Sequence, residues 1–119
     1  MAKGDDIQER LINFSVSIIR LCEHLPHDHA GNHLADQLLR SGTSSASNYG
    51  EARGAESRRD FIHKLGLVQK ELNESGIWLE IAKRSKLAPT EVVAPAMTEC
   101  TQLARIISAS IGTARGGKG

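Results

Sequence analysis

Asn48, Glu51, Glu71 and Glu74 are the residues whose types and spacing come nearest to chemistry in this chain. Asn48 and Glu51 stand at i and i+3, as do Glu71 and Glu74, so on helices each pair shares a face. If their two helices are antiparallel neighbours, the pairs can meet near mid-bundle. Grouped carboxylates can hold metal ions in a helical bundle, but the ferritin-like pattern needs two Glu-x-x-His motifs plus two further glutamates. Only Asp60-x-x-His63 comes near it, at a helix start and far from Glu71. A structural role fits better. These groups, with Ser44 beside them, pair with Arg40 or with backbone and hydroxyl donors and set register and subunit contacts.

Two further clusters carry reactive types. Cys22, His24, His27, His29 and His33 could supply metal ligands, but no recognised zinc spacing is present and the segment spans a helix end and a connector. A solvated connector is the expectation, with no metal and no cofactor. Arg53, Arg58 and Arg59 gather at one end of the third apolar segment, with Lys64 a little further in. Lys83, Arg84 and Lys86 gather at its other end. Glu56, Asp60 and Glu80 can balance them as solvated helix faces. Phosphate contact is the sharper reading, though no aromatic residues interleave with the cations to stack on bases. There is no glycine-rich phosphate loop, no Ser-His-Asp spacing and no nucleophile elbow. RGAES at 53–57 is a turn.

Composition limits what these clusters can do. The 119 residues suffice for one domain with a modest core. Aromatics are only 3%, so aliphatic and small side chains must build that core. Lys and Arg number 15 against 14 Asp and Glu, so no overall basic field draws the chain to nucleic acid. Cys22 and Cys100, each inside an apolar pattern, read as buried free thiols of a reducing compartment. No apolar run reaches about 18 residues and no leader pattern is present, so a soluble cytoplasmic protein without membrane contact is expected.

Four helices are needed to position these residues. The first, over 5–25, is capped by Asp5 or Asp6. It carries Ile7, Leu11, Phe14, Ile18, Leu21 and Leu25 at alternating spacings of four and three, and Pro26 ends it. The second, over 29–54 and capped by Asp28 or Asn32, contains a Ser/Gly/Thr run that propensity alone assigns to a loop. A structureless stretch of that length is unusual in a compact domain. The stripe also continues through Leu39, Gly42, Ala46 and Tyr49, so Gln37 to Arg53 is expected to be one continuous helix closed by Gly54. The third, over 57–87, opens on Ser57-x-x-Asp60 and carries Phe61, Leu65, Val68, Leu72, Ser75, Leu79 and Ala82. Gly66 and Gly76 weaken it locally or mark a close crossing. The fourth, over 90–112, carries Val93, Met97, Cys100, Ala104, Ile107 and Ile111. Pro95 predicts a kink or a late start near Ala94. Residues 1–4 and 113–119 are expected to be disordered. Short connections make this an all-α, antiparallel up-and-down four-helix bundle.

The segments QLLRSGTSSASNYGEA, GAESRRDFIHKLGLVQKELNES and WLEIAKRSKL resemble the small bundle proteins related to those encoded in 23S ribosomal RNA intervening sequences. The specific parts are R-S-G-T-S at 40–44, N-Y-x-E-A at 48–52, D-F-I-H-K at 60–64 and K-E-x-x-E-x-x-x-W-L at 70–79. The resemblance runs from about Leu21 to Ile107. Gly50 and Gly76 depart from it, where an acidic and a bulkier residue are common. It implies a left-handed bundle that assembles as a ring, often a homopentamer. A related branch includes accessory proteins of diversity-generating retroelements, which bind nucleic acid and associate with a reverse transcriptase.

Apolar residues outside the main stripes point the same way: Ile12 and Ile19, then Ile62, Ile77 and Ile81, then Leu103 and Ile106. More apolar surface than one seam needs usually marks an interface. Trp78, beside Glu71, Glu74 and Ile81, is expected on a contact face. The function expected is therefore a non-enzymatic homo-oligomeric scaffold for a protein or nucleic-acid partner. A metal-dependent enzyme using the bundle carboxylates and histidines is the rival.

Overall fold

In the computed structural model, which describes residues 4–116, four helices follow one another: α1 (Asp5–Cys22), α2 (His29–Arg53), α3 (Arg58–Ser85) and α4 (Thr90–Ala114). No strand occurs among the described residues. Each helix packs on the next, and α1 also meets α4, while the backbones of α1 and α3 make no close approach among the described residues. Links such as Gln8 to Ala46 and Cys22 to Ala35 run the first pair antiparallel. His33 against Trp78 and Ser41 against Ser75 do the same for α2 and α3, and Gln69 against Ser108 with Leu72 against Cys100 for α3 and α4. The result is an up-down-up-down bundle with α1 and α3 on opposite corners.

The expected apolar stripes form most of the core. Leu11, Phe14, Ile18, Leu65, Val68, Leu72, Leu79 and Ile107 are buried. Each such aliphatic side chain contributes about 1.5–3 kcal/mol by leaving water. The second helix is continuous through the Ser/Gly/Thr run, but its buried face is shifted by about one residue from the expected one. Leu38, Ser41, Gly42, Ser45, Tyr49 and Ala52 are buried, whereas Leu39 and Ala46 are only half-buried. The buried serines have internal partners. Ser45 Oγ donates to the Gly42 carbonyl at 2.7 Å, and Ser75 Oγ donates to Ser41 Oγ at 2.8 Å. Hydropathy ranks serine with the surface, so it misplaces a face built from satisfied hydroxyls.

Two glycines in α2 are required by close approach. A Cβ on Gly42 would lie 3.0 Å from Ile18 Cγ1, and one on Gly31 would lie 1.9 Å from the Pro26 carbonyl oxygen. Gly66 and Gly76 mark no crossing. Nothing lies within 4 Å of a Cβ placed on Gly66, and only Cys100 Sγ, at 3.8 Å, approaches one on Gly76.

The ends differ from the sequence expectation in several places. Gly4, in the left-handed region at φ 94°, is the N-cap of α1, and Asp5 and Asp6 occupy its first turn. That helix stops at Cys22, not Leu25. Bonds from Glu23, His24 and Leu25 back to Arg20, Leu21 and Cys22 tighten the chain ahead of Pro26 and keep Leu25 buried. Asp28 and Ser57 cap as expected, accepting from Gly31 N and Asp60 N. The third helix closes at Lys86, at φ 59°, one residue before Leu87. The fourth starts at Thr90 with no late start at Ala94. Pro89 is its N-cap, and Pro95 is exposed, where water can take the carbonyl that the ring leaves unpaired. Its helix continues through Thr113 and Ala114, which were expected in the tail. Arg115 and Gly116, also expected in the tail, bond back to the Ile111 and Thr113 carbonyls, and the rest of the expected disorder, at 1–3 and 117–119, lies outside the described residues.

Candidate functional site

The polar groups singled out above concentrate on the seam between α2 and α3. Arg40 projects from α2 one residue before the buried Ser41. Its guanidinium pairs with Glu74, reaches Glu71 Oε1 at 3.5 Å and donates to Gln37 Oε1 at 3.2 Å. Trp78 follows Glu74 by one turn and donates its indole N–H to Glu74 Oε2 at 3.1 Å. The His33 ring meets Trp78 edge to face, with centroids 5.7 Å apart at 81°. Beneath this ladder lies the Ser41–Ser75 hydrogen bond. Arg40, Glu71, Glu74 and Trp78 thus form one connected group.

Asn48 and Glu51 are not part of it. They follow Arg40 by eight and eleven residues, about 12 and 16 Å further along the helix. Among the described residues no hydrogen bond or ion pair joins either to Glu71 or Glu74, and Glu51 is exposed. Ser44 is half-buried, its carbonyl accepting from Ser47 Oγ at 3.2 Å. Among the described residues no three His, Cys, Asp or Glu side chains come together as a metal-holding group. His24, His27 and His29 are exposed in or beside the connector, while His33 is drawn away to Trp78.

The basic residues form two groups at opposite ends of α3, which at 28 residues is about 42 Å long. Arg53 pairs with Asp5 at 2.6 Å, Lys64 with Asp60 at 3.2 Å and Arg84 with Glu80 at 2.9 Å. Arg58, Arg59, Lys83 and Lys86 are exposed. The two thiols are not activated. Burial pushes Cys22 and Cys100 up to about 11, and Cys100 Sγ donates to the Leu72 carbonyl at 3.1 Å. No helix of the described residues is long and apolar enough to cross a membrane.

Of the apolar surplus, Ile12 and Ile19 are exposed, joined by Val16 on the same stripe of α1, and Ile77 and Ile81 are exposed on α3. Ile62 and Ile106 are half-buried. Leu103 is fully buried and belongs to the core.

One feature had no signal in the sequence. Where α1 begins, α2 ends, α3 begins and α4 ends, a cleft of about 870 Å³ opens, lined by Ile7, Tyr49, Arg53, Arg58, Phe61 and Ile106 among others. It depends on how four helix ends splay, which no single segment records.

Together these features define a class. This is a small up-and-down helical bundle whose polar side chains tie helices to one another. The family model for the 23S rRNA-intervening sequence protein matches residues 5–109, and the chain belongs to that family. Among solved structures it is similar to a protein of unknown function from the S23 ribosomal protein family of Bacteroides thetaiotaomicron. The identity is 32%, with a TM-score of 0.82, over 88% of this chain and 97% of the other. A comparison with curated proteins finds no match.

Proposed function

We propose that this protein is a non-enzymatic scaffold that assembles from identical subunits into a ring. The observation that supports the reading is the pair of exposed apolar stripes, Ile12, Val16 and Ile19 on α1 and Ile77 and Ile81 on α3. Ile77 is the extreme case at 62% exposure. Because α1 and α3 occupy opposite corners, the two stripes face away from each other. Unlike patches on opposite sides suit head-to-tail contact, and such contacts close into rings when the rotation allows. Trp78 borders the α3 stripe and offers a large aromatic to the same contact. The left-handed bundle and the number five follow from the family resemblance.

A phosphate-bearing partner is the second reading. Arg58 and Arg59 at one end and Lys83 and Lys86 at the other are exposed, and a ring repeats each pair around its axis. Repetition raises avidity without raising the charge per subunit. The metal-enzyme rival loses its main support, because Glu71 and Glu74 are engaged by Arg40.

Light scattering tests the assembly. A multiple of the 12.9 kDa chain mass is expected, and Ile77→Glu with Ile81→Glu is expected to yield monomer with unchanged helical circular dichroism. Trp78→Ala is expected to shift the same equilibrium more weakly. A monomer mass for the unmodified protein from low micromolar to millimolar concentration would sink the reading. A dimer or tetramer would remove only the pentamer.

A further inference from the structure

None of the exposed isoleucines of α1 and α3, nor Val16, lines the cleft at the bundle end, and the residues that do line it have a distinct chemistry. Its floor is aliphatic and small: Ile7 from α1, Ala52 from α2, Ile106 and Ala109 from α4, with Phe61 from α3 as its one phenyl ring. Its volume of about 870 Å³ lies within the range of about 300–1,000 Å³ typical of small-molecule sites. The charged side chains on the lining are Arg53 and Arg58, and among the described residues no aspartate or glutamate lines it. Arg53 is engaged by Asp5 at 2.6 Å, whereas no ion pair to Arg58 occurs among the described residues, so Arg58 is the cation left for a ligand. Tyr49 and Ser57 also line it.

An apolar floor with cations at its edge matches a single-chain anionic amphiphile. We infer that this cleft binds a fatty carboxylate, with the acyl chain against Ile7, Phe61 and Ile106 and the carboxylate at Arg58. Two rings, Tyr49 and Phe61, line the cleft, and the rest of its apolar lining is aliphatic or small, Ile7, Ala52, Ala55, Ile106, Ala109 and Ala114, which suits an acyl chain. Burying an acyl chain is favourable at about 0.8 kcal/mol per methylene. Arg58 sits at the first position of α3, so the partial positive charge of that helix end adds to its own.

The test is titration of the full chain with dodecanoate below its micelle concentration, by calorimetry and by amide chemical shifts. Saturable binding of one dodecanoate per chain is expected, with shifts centred on Ile7, Phe61 and Ile106. Arg58→Glu, at an exposed position, is expected to weaken it at least about tenfold. Ala109→Trp, also exposed, fills the cleft and is expected to weaken it by at least as much. Dodecyltrimethylammonium, with the same chain and opposite charge, is expected to bind at least about tenfold more weakly. No saturable binding up to millimolar dodecanoate would overturn the inference. So would affinity unchanged in Arg58→Glu. Subunit mass is read separately, so the ring and the cleft stand or fall independently.

Discussion

The seam between α2 and α3 and the seam between α1 and α4 join the same bundle by different means. The first is built from small buried side chains, with the Ser41–Ser75 hydrogen bond inside and the Arg40–Glu74–Trp78 ladder outside. The second is the least extensive of the four helix contacts and is bridged at its rim by Arg10. That guanidinium donates to Glu99 at 3.1 and 2.6 Å and to Gln102 at 3.0 Å, and the bond to the Glu99 carboxylate pushes the Arg10 pKa up. A close seam has no room for error in volume or hydrogen bonding. A loose one tolerates changes, because water replaces what is lost.

The largest effect is therefore expected at Ser41. Ser41→Leu forces an extra isobutyl group between two helices and leaves the Ser75 hydroxyl without its partner. Overpacking and an unpaired buried hydroxyl together are expected to cost about 3 kcal/mol or more. Denaturant unfolding would measure it, and a midpoint within error of the unmodified protein would show the seam to be looser than described.

Next in size is the hydrogen bond itself. Ser75→Ala alone strands a buried hydroxyl and is expected to cost about 1–3 kcal/mol, whereas Ser41→Ala with Ser75→Ala is expected to recover part of that loss. Strictly additive losses would mean that the two hydroxyls do not depend on each other.

The smallest effect is expected on the opposite seam. Arg10 and Glu99 are 38% and 32% exposed, so solvent screens their pairing. Arg10→Ala is expected to cost under about 1 kcal/mol and to cost less still in high salt. A loss larger than that of Ser75→Ala would reverse the ranking of the two seams.

The same contrast shows how far the residues could be read in order. The stripes of α1, α3 and α4 were legible because large aliphatic residues recur at helical spacing, and helical periodicity is a local property of the chain. Asp28 and Ser57 were legible as caps for the same reason, since a cap bonds within its own first turn. The α2 face was legible only as helix. Its inward side misread by about one residue, because serine and glycine give no apolar contrast and Ser41 becomes a core residue only once Ser75 stands opposite. Leu103 was assigned to the surplus because one helix alone does not show which of its two faces a neighbour covers.

The sequence by itself determined the all-α class, the four segments, the family and the residues available for ion pairing. Tertiary structure alone decided that Arg40 gathers Glu71, Glu74 and Trp78 while Asn48 and Glu51 stay apart, that the exposed isoleucines fall on opposite corners, and that a cleft opens where four helix ends meet. Each of these depends on distances between segments far apart in the chain, and such distances follow from how helices pack, not from the order of residues within any one of them.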